Sequence, residues 1–267
     1  MSKYQGQRRG PMARPADRSS GRGEPRGLLS LYGLHAVEAA LDNPRREMVR
    51  VMATDSAVRR LAAALSRRGI EAKRASSEEI DARLAAGAAH QGVLAEVRPL
   101  PPMALSRIVP ASPLVALDRV TDPHNVGAIL RSAAGFGAAA VIAPDRGAPA
   151  PSGALAKAAS GALEHVPYVQ ITNLARTLQE LKRAGYWVLG LEGESETALE
   201  TVADRTPVVL VLGAEGKGLR RLTRETCDMR VRIAMPGQIK SLNVSNAAAI
   251  ALYALSRARD SESRSPE

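Results

Sequence analysis

The chain has 267 residues, 45% hydrophobic and only 3% aromatic, which allows one large or two modest domains with aliphatic cores. Its formal net charge of +10 favours a polyanionic partner, nucleic acid before membrane, with a merely soluble basic protein as the alternative. The single cysteine, Cys227, excludes a disulfide framework and a zinc cluster. With no membrane-length apolar run and no secretory signal, the sequence predicts a cytoplasmic protein without membrane contact.

The first 27 residues are rich in arginine, glycine, proline and serine. Seven basic side chains oppose only Asp17 and Glu24, so this segment carries half of the net charge. Such a composition does not bury enough apolar surface to offset the entropy of ordering. Residues 1–27 are therefore predicted to be a disordered basic arm that contacts RNA phosphates, with a solvated tail as the alternative. Residues 260–267 are predicted to be a disordered tail.

Residues 28–97 alternate helix and strand signals, which predicts a small α/β domain. The predicted helices are 33–41, 58–68 and 77–86, the second ended by a C′ glycine and the third opened by a serine N-cap. The predicted strands are 48–53, 70–73 and 92–97. Residues 98–113 hold five prolines, which fix φ and remove hydrogen-bond donors, so they are predicted to form a short linker.

Residues 114–259 alternate strands and helices again, which predicts a mostly parallel sheet covered by helices on both faces. The predicted strands are 114–117, 140–142, 168–171, 187–191, 208–212 and 229–234. The predicted helices are 126–136, 154–163, 175–184, 219–225 and 244–257. Ligands of such sheets bind beyond the carboxyl ends of the strands. Three polar clusters follow predicted strands and are expected to meet at that edge.

The first cluster contains His124, Asn125 and Arg131. Six helical residues turn by about 600°, so Asn125 is assigned to the loop or N-cap and Arg131 to the second turn of the helix. Arg131 has apolar neighbours along the sequence, which favours an anionic partner such as phosphate, with a salt bridge to Asp118 or Glu215 as the alternative. His124 has no ligand at metal spacing, so no metal site is predicted.

The second cluster is the glycine-rich segment from Gly213 to Gly218. It lacks the spacing of a nucleoside-triphosphate loop and of a dinucleotide fingerprint, which excludes both ligand classes. Glycine lets the backbone turn tightly and approach a ligand closely. Glu215 in this loop is either a functional carboxylate or a carboxylate that complements a helix dipole.

The third cluster opens the last predicted helix. Gly237 shapes its loop, and four uncharged polar residues follow, namely Ser241, Asn243, Ser245 and Asn246. Helix capping would use one or two of these four, so the cluster exceeds what capping requires. It predicts a site that binds a ligand by directional hydrogen bonds. No serine, histidine and aspartate set is present in a plausible order, so a hydrolase nucleophile is not predicted.

Together, the three clusters resemble, in order and content, the three motifs of the SpoU (TrmH) family of RNA 2′-O-ribose methyltransferases, within the SPOUT superfamily. The matching segments are Asn125 to Arg131, Gly213-Ala-Glu215-Gly and Ser241-Leu-Asn243-Val-Ser. Residues 31–97 resemble the substrate-binding domain that precedes the catalytic domain in this family, an α/β fold similar to that of a ribosomal protein. Within the family, the chain is most similar to bacterial enzymes that methylate a guanosine of large-subunit (23S) ribosomal RNA.

This resemblance implies an α/β protein whose C-terminal SPOUT domain has a parallel sheet and a deep trefoil knot. It also implies S-adenosylmethionine as the methyl donor, an RNA substrate, no metal, and a homodimer whose active sites draw on both subunits. The residues that it assigns to catalysis are Asn125, Arg131, Glu215, Ser241 and Asn243. The residues that it assigns to the cofactor are Leu212, Gly213, Gly218, Ile233, Gly237 and Leu242.

The implied reaction is attack of a ribose 2′-oxygen on the methyl carbon, in line with the departing sulfur, so catalysis is mostly positioning and charge placement. Arg131 is expected to clamp an RNA phosphate and stabilise the forming oxyanion, because a guanidinium pKa above about 12 opposes proton abstraction. A phosphate-coupled base is the alternative. Asn125 and Ser241 are expected to orient the ribose, and Asn243 with Glu215 to hold the loops.

Competing hypotheses are a transfer-RNA methyltransferase, a non-catalytic RNA-binding assembly factor and a Rossmann dehydrogenase. The missing dinucleotide fingerprint disfavours the dehydrogenase.

Overall fold

The structure, a computed structural model, describes residues 27–108, 112–238 and 241–262. The predicted basic arm lies outside the described residues except for Gly27, and so do the last five residues of the predicted tail. The final helix continues through Glu262, so the first three residues of that predicted tail are helical. No helix among the described residues is long and apolar enough to cross a membrane.

The N-terminal domain is the predicted α/β unit, built on a four-stranded sheet in the order β1-β4-β2-β3. Its strands pair antiparallel except β2 with β3, which pair in parallel. Its elements are β1 (Leu29–Tyr32), α1 (Leu34–Asp42), β2 (Met48–Ala53), α2 (Asp55–Arg68), β3 (Lys73–Arg74), α3 (Ser77–Asp81) and β4 (Val93–Val97).

Local capping explains most boundaries of this domain. The Thr54 side chain accepts a hydrogen bond from Ala57 N and starts α2, and Gly69 ends it in the left-handed region at φ 68°. Ser76 and Glu79 form a capping box at α3. The third helix is shorter than predicted, because after Asp81 the hydrogen bonds tighten to the i→i+3 pattern. The predicted strand 70–73 is displaced to the two-residue β3, and β1 was not predicted.

The C-terminal domain contains a six-stranded, entirely parallel sheet in the order β10-β8-β9-β5-β6-β7, which confirms the predicted architecture. Its strands are β5 (Leu114–Asp118), β6 (Ala140–Pro144), β7 (Tyr168–Ile171), β8 (Trp187–Leu191), β9 (Val208–Gly213) and β10 (Met229–Val231). Its helices are α4 (Pro123–Gly135), α5 (Gly153–Ala159), α6 (Leu174–Arg183), α7 (Arg221–Thr226) and α8 (Val244–Glu262).

Two predicted elements of this domain end earlier than expected. The predicted helix 154–163 is interrupted by Ser160 and Gly161, whose φ angles are 52° and 93°, and it resumes as a short 3₁₀ turn at Ala162–Glu164. These two left-handed residues cannot continue a right-handed helix. The predicted strand 229–234 ends at Val231, because β10 is an edge strand and its partner β8 ends at Leu191.

The strand order places the polar clusters at the same edge of the sheet. Strands β5 and β9 are neighbours, and Asp118 pairs in register with Gly213. The first two polar clusters therefore leave the sheet side by side. The third cluster follows the edge strand β10, after which the chain returns to pack α8 against α4 and the sheet. This return brings the start of α8 to the first two clusters.

Candidate active site

One carboxylate oxygen joins the three clusters. Glu215 Oε1 accepts hydrogen bonds from Asn243 Nδ2 at 2.7 Å, from Val244 N at 3.2 Å and from Asn125 Nδ2 at 3.3 Å. Asn243 Nδ2 also donates to Asn125 Oδ1 at 3.0 Å. We call Asn125, Glu215 and Asn243 the Glu215 cluster. These hydrogen bonds hold the first turn of α4, the loop after β9 and the start of α8 in fixed positions relative to one another.

The Glu215 cluster lies at the N-terminus of α8. Asn243 Oδ1 accepts from Ser245 N at 2.9 Å and from Ser245 Oγ at 2.6 Å, which is the geometry of a helix cap. The Glu215 carboxylate faces the first main-chain N–H of the same helix and so complements its dipole. Glu215 therefore does complement a helix dipole, which was the alternative to a functional carboxylate. The helix concerned is α8, however, and not the helix that follows the loop containing Glu215.

Asn125 lies in the first turn of α4, and its assignment to a loop or N-cap was wrong. The N-cap is Asp122, whose side chain accepts from His124 N at 2.9 Å, and Pro123 occupies the first helical position. Proline is favoured there because its missing N–H has no partner in any helix. The earlier start moves Arg131 from the second turn to the third.

Arg131 is exposed, so the apolar surroundings expected from its sequence neighbours are not found. Among the described residues, none forms a hydrogen bond or ion pair with its guanidinium. Both predicted salt-bridge partners are occupied elsewhere: Asp118 binds Arg220, and Glu215 binds the two asparagines of its cluster. An exposed guanidinium without an internal partner is available to an external anion.

Ser241 is not brought into the Glu215 cluster. It is exposed, and no described residue forms a hydrogen bond with it. It directly follows residues 239–240, which lie outside the described part of the chain. Its expected contact with a ribose stays a prediction.

The second cluster folds into a tight hairpin. Gly218 N donates to Ala214 O at 2.9 Å, and Gly216 and Gly218 have φ angles of 73° and 61°. A Cβ added to Gly213 would lie 2.6 Å from both Gly218 O and Leu219 N. Glycine at 213 is therefore required by the closure of the loop itself, in addition to any approach of a ligand.

The residues assigned to the cofactor include main-chain groups that have no main-chain hydrogen-bond partner among the described residues. No described residue forms a main-chain hydrogen bond with residues 233–238. The side chain of Ile233, the first residue of this segment, is only half-buried. Leu242 leaves 36% of its surface exposed, whereas the Leu212 side chain is buried in the sheet. Unpaired polar backbone beside apolar side chains suits a purine nucleoside, which needs an apolar face and directional hydrogen bonds. These loops therefore fit an adenosyl group.

Within the described ranges, no group of three or more histidine, cysteine, aspartate or glutamate residues is arranged to hold a metal ion.

Sequence reasoning named Asp118 only as an alternative partner of Arg131 and missed its role beside the glycine-rich loop. Asp118 is fully buried at the end of β5, where it accepts from Arg220 N at 2.8 Å and pairs with the Arg220 side chain. This pair ties the end of the glycine-rich loop to the neighbouring strand. An aspartate that directly follows the apolar run Leu114–Leu117 is a signal that could have identified it.

Two family profiles match the chain. The profile of the SpoU rRNA Methylase family matches residues 112–253. The profile described as RNA 2′-O ribose methyltransferase substrate binding matches residues 30–103. The two matches cover the C-terminal and N-terminal domains respectively.

Relatives and solved structures agree with these profiles. The chain is 40% identical over 246 residues to the 23S rRNA (guanosine-2′-O-)-methyltransferase RlmB of Pseudomonas syringae, covering 88% of this chain and 98% of that protein. It is 42% identical over 242 residues to the RlmB protein of Yersinia pestis, covering 86% and 97%. The SpoU methyltransferase AviRb from Streptomyces viridochromogenes, solved in complex with the cofactor AdoMet, superposes with a TM-score of 0.75 at 26% identity, covering 88% of this chain and 91% of that chain. An AdoMet-bound rRNA methyltransferase from Sinorhizobium meliloti gives a TM-score of 0.71 at 25% identity, covering 86% and 87%.

Proposed function

The chain belongs to the SpoU rRNA methylase family, and we propose that it transfers a methyl group from S-adenosylmethionine to the ribose 2′-oxygen of a guanosine in 23S ribosomal RNA. The observation that carries this proposal is the Glu215 cluster, which joins one residue of each family motif. The RlmB relatives, similar over nearly their whole length, support the substrate, and the AdoMet-bound neighbours support the methyl donor. A ribosomal RNA substrate supports a cytoplasmic location for the reaction.

The residues of this chain act mainly by placing groups and charge. S-adenosylmethionine, when bound, supplies a methyl group on a positively charged sulfur. Arg131 clamps an RNA phosphate and stabilises negative charge as the 2′-oxygen loses its proton to solvent or to a phosphate oxygen. Asn125 and Ser241 orient the ribose. Glu215 and Asn243 hold the loops of the second and third motifs at a fixed separation.

We also propose that the C-terminal domain is knotted and that the N-terminal domain has a fold similar to that of a ribosomal protein. After the edge strand β10, the chain passes the loop that follows β9 and returns to α4, and such a return supports a deep trefoil knot at the C-terminal end. The mixed sheet of the N-terminal domain, with α1 and α2 packed together, supports its similarity to a ribosomal-protein fold.

We propose a homodimer that forms through α8 and shares its active sites. Ile250 and Tyr253 on this helix leave 42% and 54% of their surfaces exposed, and Tyr253 packs edge-on against Phe136 at 5.9 Å. Leu242, just before the helix, is a further exposed apolar side chain. Exposed apolar side chains grouped beside a site support a subunit interface.

A matched pair of RNA and DNA oligonucleotides tests the reaction. With radiolabelled S-adenosylmethionine, a 23S ribosomal RNA fragment should acquire label that nuclease digestion recovers as 2′-O-methylguanosine. DNA of the same sequence should stay unlabelled, because it has no 2′-hydroxyl. Label on a base, or equal label on the DNA, would contradict the proposal. Preferential label on transfer RNA would favour the transfer-RNA alternative, and cofactor binding without any transfer would favour the assembly factor.

A glutamate at Ile250 is expected to reduce dimerisation and activity together. Because 42% of this residue's surface is exposed in the protomer, the substitution should leave the fold intact and act on the subunit contact. Analytical ultracentrifugation and methyl transfer would be measured on the same preparation. Gln179→Glu, on the exposed face of α6, is the matched control and should stay dimeric and active. A wild-type protein that is monomeric and fully active would contradict the shared site.

A further inference from the structure

A buried ion pair joins the two domains. Glu164, in the 3₁₀ turn after α5, accepts from Arg46 Nη2 at 2.6 Å and from Asn43 Nδ2 at 2.8 Å. The Arg46 and Glu164 side chains are 1% and 2% exposed. We call Asn43, Arg46 and Glu164 the Glu164 cluster. A rearrangement that kept Arg46 or Glu164 buried without the other would leave a charge uncompensated, so the pair favours the present arrangement of the domains.

Arg46 also ties the ends of neighbouring segments to this cluster. Its Nη1 donates to the main-chain oxygen of Arg98, the first residue of the proline-rich linker, at 2.8 Å. Its own main-chain oxygen accepts from Arg68 Nη2, at the end of α2, at 2.6 Å. The linker is therefore anchored where it leaves the N-terminal domain.

Close backbone contacts surround the ion pair. A Cβ at Gly161 would lie 2.8 Å from Ala39 Cβ on α1, and a Cβ at Gly153 would collide with the main-chain oxygen of Ser30 on β1. A second polar contact lies nearby, where Lys157 Nζ donates to Gln91 Oε1 at 2.5 Å. The hydrophobic core also continues across this contact without a break. The two domains are thus packed as closely as elements within one domain.

The same helix α5 contacts the helix that carries the catalytic arginine. A Cβ added to Gly127 on α4 would lie 2.5 Å from both Leu155 O and Ala158 Cβ on α5. Arg131 is one helical turn beyond Gly127. A continuous set of close contacts therefore runs from the N-terminal domain through α5 to α4.

We propose that Glu164 is a positioning residue, which holds the RNA-binding domain in one orientation on the helix pair that carries Arg131. RNA bound by the N-terminal domain then presents its 2′-hydroxyl at a set distance from the active site. Arg59 and Arg60 on α2 are exposed and have no ion-pair partner among the described residues, which provides a basic surface for that RNA. This inference rests on the proposed methyl transfer to RNA.

Kinetics on two RNA lengths test the proposal. One substrate is a 23S fragment long enough to contact both domains, and the other is a short hairpin around the target that reaches only the catalytic domain. For Glu164→Gln, kcat on the long RNA should fall about tenfold or more with little change in KM, because the RNA still binds but is misplaced. On the short hairpin, Glu164→Gln and the wild type should have the same kcat.

Equal kcat on the long RNA would overturn the proposal. An equal loss on both RNAs would also overturn it, because Glu164 would then only stabilise the fold. Glu225→Gln, which breaks an exposed ion pair with Arg221, is the matched control and should behave as the wild type. If Glu164→Gln does not fold, Lys157→Met removes the second contact without leaving a buried charge, and it should show a smaller loss on the long RNA only.

A distance measurement tests the fixed orientation without RNA, so its outcome is independent of the proposed function. Spin labels at Ala62→Cys and Gln179→Cys lie on exposed faces of the two domains. Burial raises the pKa of Cys227 to about 12, which keeps the native thiol protonated and slow to label. Labelled chains would be diluted in unlabelled protein to suppress distances between subunits. The wild type should give one narrow distance and Glu164→Gln a broad one, whereas a broad wild-type distribution would refute the fixed orientation.

Discussion

Replacing Arg131 with alanine is expected to lower kcat by at least about a hundredfold, while S-adenosylmethionine binds almost as tightly as before. The guanidinium is exposed and has no partner among the described residues, so its loss disturbs no internal contact. It belongs to α4, whereas the cofactor is assigned to the loops after β9 and β10. Single-turnover methyl transfer and calorimetric titration of the cofactor would measure the two effects separately.

Two further variants sharpen this test. Arg131→Lys should also lose methyl transfer, because a point charge does not reproduce the planar, bidentate fork that binds phosphate. Arg183→Ala, which removes an exposed arginine at the end of α6, is the matched control and should retain activity. A lysine variant with near-normal turnover would contradict the clamp and leave general electrostatic attraction as the role of this position.

Replacing Gly213 with valine is expected to eliminate binding of S-adenosylmethionine. The added side chain meets the main chain of Gly218 and Leu219, so the hairpin cannot close. Glu215 is two residues away in this loop and would be displaced from Asn243 and Val244, which disrupts the junction of the motifs. Calorimetry should detect no cofactor binding, and sedimentation should show an intact dimer.

The structure adds a stricter form of this prediction. Gly213→Ala should also lose binding of S-adenosylmethionine, because the added Cβ already lies 2.6 Å from main-chain atoms. Gly135→Ala at the end of α4 is the control, since a Cβ there meets nothing within 4 Å. Thermal unfolding of each variant would show whether a loss of binding reflects the loop or the whole domain. Cofactor affinity retained in Gly213→Ala would contradict the requirement for a closed hairpin.

Local sequence patterns determined most of the fold. Apolar runs separated by short helical segments predicted the parallel sheet, and five of its six strands were located nearly to their observed bounds. Such runs suffice because a strand buried on both faces is marked by its own composition. The polar motifs likewise predicted that their clusters would meet, and Asn125, Glu215 and Asn243 lie together, because the carboxyl ends of parallel strands share one edge of the sheet.

Tertiary structure decided the partners of these residues. Periodicity does not encode strand order, so it gave no sign that Glu215 caps α8 or that Asp118 is bound by Arg220. The short strand β1 was missed because four residues carry too little alternation, and pairing with β4 forms it.

The helix break at Gly161 and the buried pair of Arg46 with Glu164 arise where the two domains pack together. Residues 118 positions apart make that pair, and only the assembled fold brings them into contact. The sequence by itself thus determined the elements and the chemistry of the motifs. Long-range packing decided which side chains are buried, which are bound internally, and which, like Arg131, are exposed without a partner among the described residues.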